Sequence, residues 1–170
     1  VQLQGLRVLS ATRHKNKLKV GHLAGNAFTL RVREVPAERI DDLRAGLEIL
    51  ARRGMPNLYG PQRFGSRGDT HEIGRALLAD DWAEAAALIA GRAQAHETPT
   101  IQRARQLFDE GRFAEAASAF PAACREPQKV ARAMARFDGD PERGVQTLGR
   151  EAARFYVSAL QAAVFNEVLV

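Results

Sequence analysis

Ile73-Gly74-Arg75-Ala76-Leu77-Leu78-Ala79-Asp80-Asp81-Trp82-Ala83-Glu84-Ala85-Ala86-Ala87-Leu88-Ile89 is the stretch that sets the architecture of most of this chain. Ile73, Leu77 and Leu78 stand at helical spacing before Asp80-Asp81, and Trp82, Ala85, Ala86 and Ile89 resume it afterwards. Side chains three and four residues apart share one helix face, so the stretch predicts two helices joined by an acidic turn. Asp80 and Asp81 read as surface caps in that turn.

The same signature returns further on. Trp82-Ala83-Glu84-Ala85-Ala86 is echoed by Phe113-Ala114-Glu115-Ala116-Ala117. An aromatic after a polar turn, followed by small and acidic residues, lets paired helices pack closely and looks like a tetratricopeptide half-repeat. Two copies are fewer than the three or so that a solenoid needs. Thr98-Pro99 predicts a helix start and Gly111 a stop, while Gly149 to Val170 reads as one long amphipathic helix. That helix reaches the last residue without a capping signal, and the chain opens on Val1 rather than Met, so both ends read as cut.

Working toward the N-terminus, residues 54–68 hold Gly54, Gly60, Gly65 and Gly68 with Pro56 and Pro61. So many backbone-permissive residues predict a shaped loop rather than a core element, and loops of this kind carry function. Before it, Pro36 opens a helix with Ile40, Leu43, Leu47 and Leu50 on one face and Gly54 as its stop. Residues 6–13 and 27–34 alternate in the manner of strands, joined by a basic connection punctuated by Gly21 and Gly25. A β-loop-β-α beginning followed by helices predicts an α+β fold.

The charge is uneven. The 170 residues carry a formal net charge of +5, but residues 1–33 contain Arg7, Arg13, Lys15, Lys17, Lys19, Arg31 and Arg33 and no acidic residue. Residues 69–170 are net acidic. Cations concentrated in one part are the footprint of a polyanionic partner. No apolar run approaches the roughly 18 residues of a membrane-spanning helix, and no secretory signal is visible at Val1. The lone Cys124 fits a reducing cytoplasm and reads as a small core residue.

Two loops concentrate the chemistry of RNA binding. Arg13, Lys15, Lys17 and Lys19 lie on a short connection where they can meet successive phosphates, and Arg63 and Arg67 extend that surface. His14 and His22 read equally as contacts or as ordinary surface histidines. Asn57 offers a donor and an acceptor to a base edge. Tyr59 and Phe64 are either faces on which an unstacked base rests or anchors that hold the loop to the core.

Three blocks, in order, carry a family resemblance. They are Thr12-Arg13-His14 through Lys17-Leu18 to Gly25-Asn26-Ala27-Phe28; Pro56-Asn57-Leu58-Tyr59-Gly60-Pro61-Gln62-Arg63-Phe64-Gly65; and Phe155-Tyr156-Val157-Ser158-Ala159-Leu160-Gln161 with Phe165-Asn166. They closely resemble the TruD family of tRNA pseudouridine synthases, with the middle block the most specific. The resemblance implies an isomerase that converts a uridine of tRNA, at position 13, to pseudouridine in the cytoplasm. It implies no metal and no organic cofactor.

By resemblance, residues 1–69 are part of a mixed-sheet catalytic domain and residues 70–170 a helical insertion domain. Asn57 takes the place of the family's active-site Asn, and Tyr59 that of the Phe packed on the target base; Leu58 and Leu160 each replace a family Tyr. Asn26 joins the RNA-binding set with His14. The reaction requires a carboxylate partner, which the family carries in a Gly-x-Lys-Asp block before the Arg-His block. Nothing in residues 1–12 resembles that block, Asp69 reads as a helix cap, and the chain alone is expected to be inactive. Two other readings stay open: a non-catalytic RNA-binding remnant, and a helical protein-interaction module.

Overall fold

The structure is a computed structural model that describes Leu9, residues 11–13 and 15–17, Lys19, Gly21, His22, Gly25 and residues 27–170. It divides into two compact units, Val1–Met55 and Pro56–Val170.

In the first unit, Pro36 precedes a short 3-10 turn, Ala37–Arg39, and then α1, Ile40–Arg53. Asp41 and Asp42 in its first turn and Arg52 and Arg53 in its last complement the helix dipole. Gly54 stops the helix at φ 79°, a left-handed conformation that suits a residue without Cβ.

The expected mixed sheet is not found. Among the described residues there is no strand, so the α+β reading is corrected to an all-helical one. Residues 27–34 do alternate, but Phe28, Leu30 and Val32 are 80%, 85% and 67% exposed, and no described neighbour pairs with their backbone. Glu34 then turns to φ 57°, which breaks the extended run. Alternation supplies a face; a strand also needs a partner for its backbone groups. Half of the earlier candidate, residues 6–13, lies outside the described residues, and its described half, Leu9 and residues 11–13, contains no strand.

The second unit is built of helical hairpins. α2 (Thr70–Leu78) pairs with α3 (Trp82–Ala90), α4 (Pro99–Asp109) with α5 (Phe113–Ala119), and α6 (Arg125–Arg136) with α7 (Pro141–Gln146). The long α8, Gly149–Leu169, lies against α2. All three hairpins turn by one device. The Asp81 amide donates to the Ala76 carbonyl, Arg112 to Leu107 and Gly139 to Met134, each bond reaching back five residues as in a Schellman motif. Each turn contains left-handed backbone: Asp80 at φ 54°, Gly111 at 76°, and Asp138 and Gly139 at 53° and 80°. In the first and third turns an aspartate then caps the next helix, Asp81 accepting from the Glu84 amide and Asp140 from that of Arg143.

The repeat seen twice in sequence is therefore present three times in structure. The third copy escaped notice because Pro141-Glu142-Arg143-Gly144-Val145 keeps the turn but not the aromatic-Ala-Glu signature. Small residues set the helix separation: Ala85, Ala104, Ala116 and Ala131 are fully buried, with Leu88, Leu107, Phe108, Phe120 and Met134 filling the space around them. Cys124 precedes α6 and is half-buried against this core.

Two contacts hold α8 against the helical hairpins. Gly74 of α2 sits where any Cβ would collide with the Tyr156 carbonyl, so the two backbones touch directly. Tyr156, buried, donates its hydroxyl to Glu126 of α6 at 2.7 Å. Burial and that acceptor push the phenol far above its ordinary value, so it remains a donor at every physiological pH.

Gly74→Ala should force α2 and α8 apart. We expect a destabilisation of about 1–3 kcal/mol, the usual range for overpacking, read as a melting-temperature drop of several degrees by circular dichroism. An unchanged melting temperature would mean that the two helices are not in backbone contact.

Candidate nucleic-acid interface

Residues 56–69 fold back on the helices that follow them. Pro61 sits at the start of a 3-10 turn, Pro61–Phe64, which Gly65 ends at φ 77°. A side chain at Gly65 would also run into the Thr70 hydroxyl, which donates to the Phe64 carbonyl at 2.7 Å and locks the turn to the start of α2. Phe64 is half-buried, its ring edge-on to His71 at 5.3 Å.

Two of the sequence blocks, about a hundred residues apart, meet here. The Tyr59 amide donates to Asn166 Oδ1 at 2.9 Å, and Asn166 Nδ2 donates back to the Tyr59 carbonyl at 2.9 Å. One amide side chain thereby satisfies both backbone groups of Tyr59, as a neighbouring strand would. The Tyr59 ring stands edge-on to Phe165 at 5.7 Å, and the residue remains 49% exposed. Arg63 donates to Ser158 Oγ at 2.5 Å, and its guanidinium lies 5.5 Å from the Phe155 ring and 5.9 Å from that of Tyr59. Its Nε is buried without a partner among the described residues. Tyr59, Phe64, Gly65, His71, Ala163 and Asn166 line an open cleft of about 580 Å³.

Arg67 departs from the expectation of a phosphate-facing side chain. It is 12% exposed and donates to Asp69 at 2.8 Å, Glu97 at 3.1 Å and the Arg92 carbonyl at 3.2 Å. Asp69 also differs from its reading as a cap. It occupies the N-cap position of α2, but its carboxylate faces Arg67 rather than a helix amide. Glu97 is shared by a second guanidinium, that of Arg105, 2.8 Å away and 4% exposed. Arg105 also reaches the carbonyls of Ile89 and Gly91. Burial alone would raise the Glu97 carboxyl, but the Gln94 amide and the two guanidiniums outweigh it and hold it below its usual value.

The remaining candidates are distributed as follows. Asn57 is exposed at the start of the loop. Arg13, Lys15, Lys17 and Lys19 are exposed in the first unit, where the Lys19 amide donates to His22 Nδ1 at 3.3 Å. His14 and Asn26 lie outside the described residues. Sequence reasoning missed Phe155, Ser158, Phe165 and Asn166 as partners of the loop. Their signal was present, since 155, 158, 162 and 166 recur at helical spacing and place a hydroxyl and an amide on one face of α8.

The sequence profile of tRNA pseudouridine synthase D (TruD) matches residues 1–170. The chain belongs to the TruD family. It is 42% identical over 169 residues to tRNA pseudouridine synthase D of Geobacter sulfurreducens, covering 99% of this chain and 41% of that protein. The TruD relative from Syntrophotalea carbinolica is 36% identical, with 99% and 42% covered. The crystal structure of the Methanosarcina mazei TruD protein superimposes with a TM-score of 0.64 at 27% identity, covering 74% of this chain and 30% of that one. The chain thus spans about two-fifths of the length of the curated TruD relatives it matches.

Two tests address this site. Asn166→Ala leaves both Tyr59 backbone groups without their protein partner. We expect protease cleavage within residues 56–64 to accelerate severalfold while the helical circular dichroism signal is unchanged; equal cleavage would remove Asn166 as the clasp. Glu97→Gln leaves two guanidiniums facing a neutral amide, with a loss of roughly 3–5 kcal/mol at pH 7 by denaturant unfolding. Because the folded Glu97 pKa is depressed, its contribution is complete above the ordinary carboxylate range and lost as pH falls through the folded value. The gap between wild type and Glu97→Gln should therefore begin to narrow as pH falls through the ordinary carboxylate range and close only below the depressed folded value.

Proposed function

We propose that this chain forms the RNA-binding and base-stacking part of a tRNA pseudouridine synthase, an isomerase that converts a uridine of tRNA to pseudouridine. The observation that carries the reading is the clasp of Asn166 on Tyr59, which holds an aromatic ring half exposed over an open cleft. A uridine can reach an active site only by leaving its stack, and an aromatic face compensates it for the neighbours it loses. In this reading Tyr59 carries the extruded base and Asn57, free at the mouth of the loop, reads its edge. Arg13, His14, Lys15, Lys17, Lys19 and Asn26 take the phosphate backbone, with Arg63 closer to the base. Phe64 anchors the loop, and Arg67 acts as a positioning residue through Asp69 and Glu97.

Isomerisation breaks the glycosidic bond at N1, turns the base and rejoins it through C5, with a carboxylate as nucleophile or covalent partner. No residue of the chain matches the family's Gly-x-Lys-Asp block, so the present residues bind and orient. We assign residues 1–69 to the catalytic part and residues 70–170 to the helical insertion.

Binding of unmodified tRNA across a salt series is the test. Wild type should bind with a steep negative dependence on log salt. Lys15/Lys17/Lys19→Ala should flatten that slope by about 2–3, one phosphate contact per lysine. Tyr59→Ala should weaken binding by about 1–3 kcal/mol at every salt concentration. Absent or salt-insensitive binding would sink the reading and favour the helical hairpins as a protein-interaction surface.

A further inference from the structure

The face of α6 opposite the core carries a charge pattern that nothing above uses. Arg125, Lys129, Arg132 and Arg136 are all exposed, at spacings of four, three and four residues. At about 100° per residue they fall within an arc of roughly 60°, and they extend over about 16 Å of helix. On the other side of α6, Val130, Ala131, Ala133 and Met134 are buried, so the orientation of the stripe toward solvent is fixed by the core.

What sets the stripe apart is that four unneutralised cations stand in one row. Elsewhere in residues 56–170, Arg75, Arg92, Arg103, Arg112 and Arg143 each meet a carboxylate, and the cations that do not, Arg63, Arg150 and Arg154, form no such row. Among the described residues, none of the four cations on α6 meets a carboxylate. The acidic residue of the same helix, Glu126, points to α8 and accepts the Tyr156 hydroxyl. Arg136 lies over the Phe137 ring at 5.3 Å, a contact that leaves its charge intact. Four like charges aligned at helical spacing repel one another, and an unpaired row of this kind is stabilised when counter-charges of matching spacing lie along it.

The N-terminal end of α6 also adjoins the loop already described. Glu126 and Pro127 line a recess of about 250 Å³ together with Gly65, Ser66, Arg67 and Phe155. Arg125, the first cation of the row, immediately precedes these two residues in the chain.

We propose that Arg125, Lys129, Arg132 and Arg136 form a second phosphate-binding track, on which the helical unit grips the RNA backbone away from the target base. This rests on the reading of the chain as a tRNA-binding protein. The track contacts phosphates only, so it adds affinity and register without sequence preference.

The experiment compares the full chain with an R125Q/K129Q/R132Q/R136Q variant, in which glutamine keeps length and helix propensity, and with Lys15/Lys17/Lys19→Ala. Unmodified tRNA is the probe, with polyglutamate as competitor. The quadruple variant should bind about tenfold or more weakly at 0.1 M salt, with a log–log salt slope shallower by about 3. Its melting temperature should match wild type, because the side chains are solvent-exposed. Wild-type affinity and slope in the quadruple variant, alongside a defect in the lysine variant, would overturn the track and leave the tRNA reading standing. No tRNA binding by wild type would overturn both. Competition by polyglutamate as effective as by tRNA would assign the row to an acidic protein and overturn the RNA track.

Discussion

One carboxylate organises the second unit. Glu97 lies on the connection between α3 and α4, 7% exposed, and is shared by Arg67 from the glycine-rich loop and Arg105 from α4. Each guanidinium also reaches backbone carbonyls that no helix bond would satisfy, at Ile89, Gly91 and Arg92. A buried cation without its counter-ion is far more costly than the pair, so Arg105 cannot be seated unless Glu97 is in place, and Arg67 would be left with Asp69 alone. The loop that presents Tyr59 is therefore held at Arg67 by a residue outside the loop, in addition to its bonds to Ser158 and Asn166 of α8.

The helices that were legible in the sequence were mostly those that carried their own start or stop. Pro36 and Gly54 bracket α1, Pro99 and Gly111 bracket the fourth helix, and Asp81 caps the third. Strands carry no such local signature. Phe28, Leu30 and Val32 alternate as a strand does, yet a pattern along the chain cannot say whether a partner stands beside it. The third hairpin was hidden for a related reason. What repeats is a turn geometry, and Asp138-Gly139-Asp140 realises it with residues different from those of Asp80-Asp81 or Gly111-Arg112.

The site was legible as chemistry and illegible as geometry. Tyr59, Arg63 and Phe64 stood out by residue type, but exposed rings and anchoring rings look alike in sequence. The structure separates them: Phe64 is turned toward His71 and Thr70 holds its carbonyl, whereas Tyr59 keeps half its surface in solvent. Arg67 shows the converse. It is one more cation near a basic loop in sequence, and a tether in space because Asp69 and Glu97 converge on it.

The clasp between Asn166 and Tyr59 joins two things usually treated apart. Asn166 is carried by α8, so the winding of the helix around it decides whether its amide reaches residue 59. Where that stretch of α8 unwinds, both hydrogen bonds to Tyr59 go with it, so the order of residue 59 and the winding of α8 around residue 166 are coupled. Any contact that orders Tyr59 must then tighten α8 around Asn166 by the same free energy that the helix lends to that contact. Amide exchange at residues 163–169 would register an event at a ring more than a hundred residues earlier in the chain.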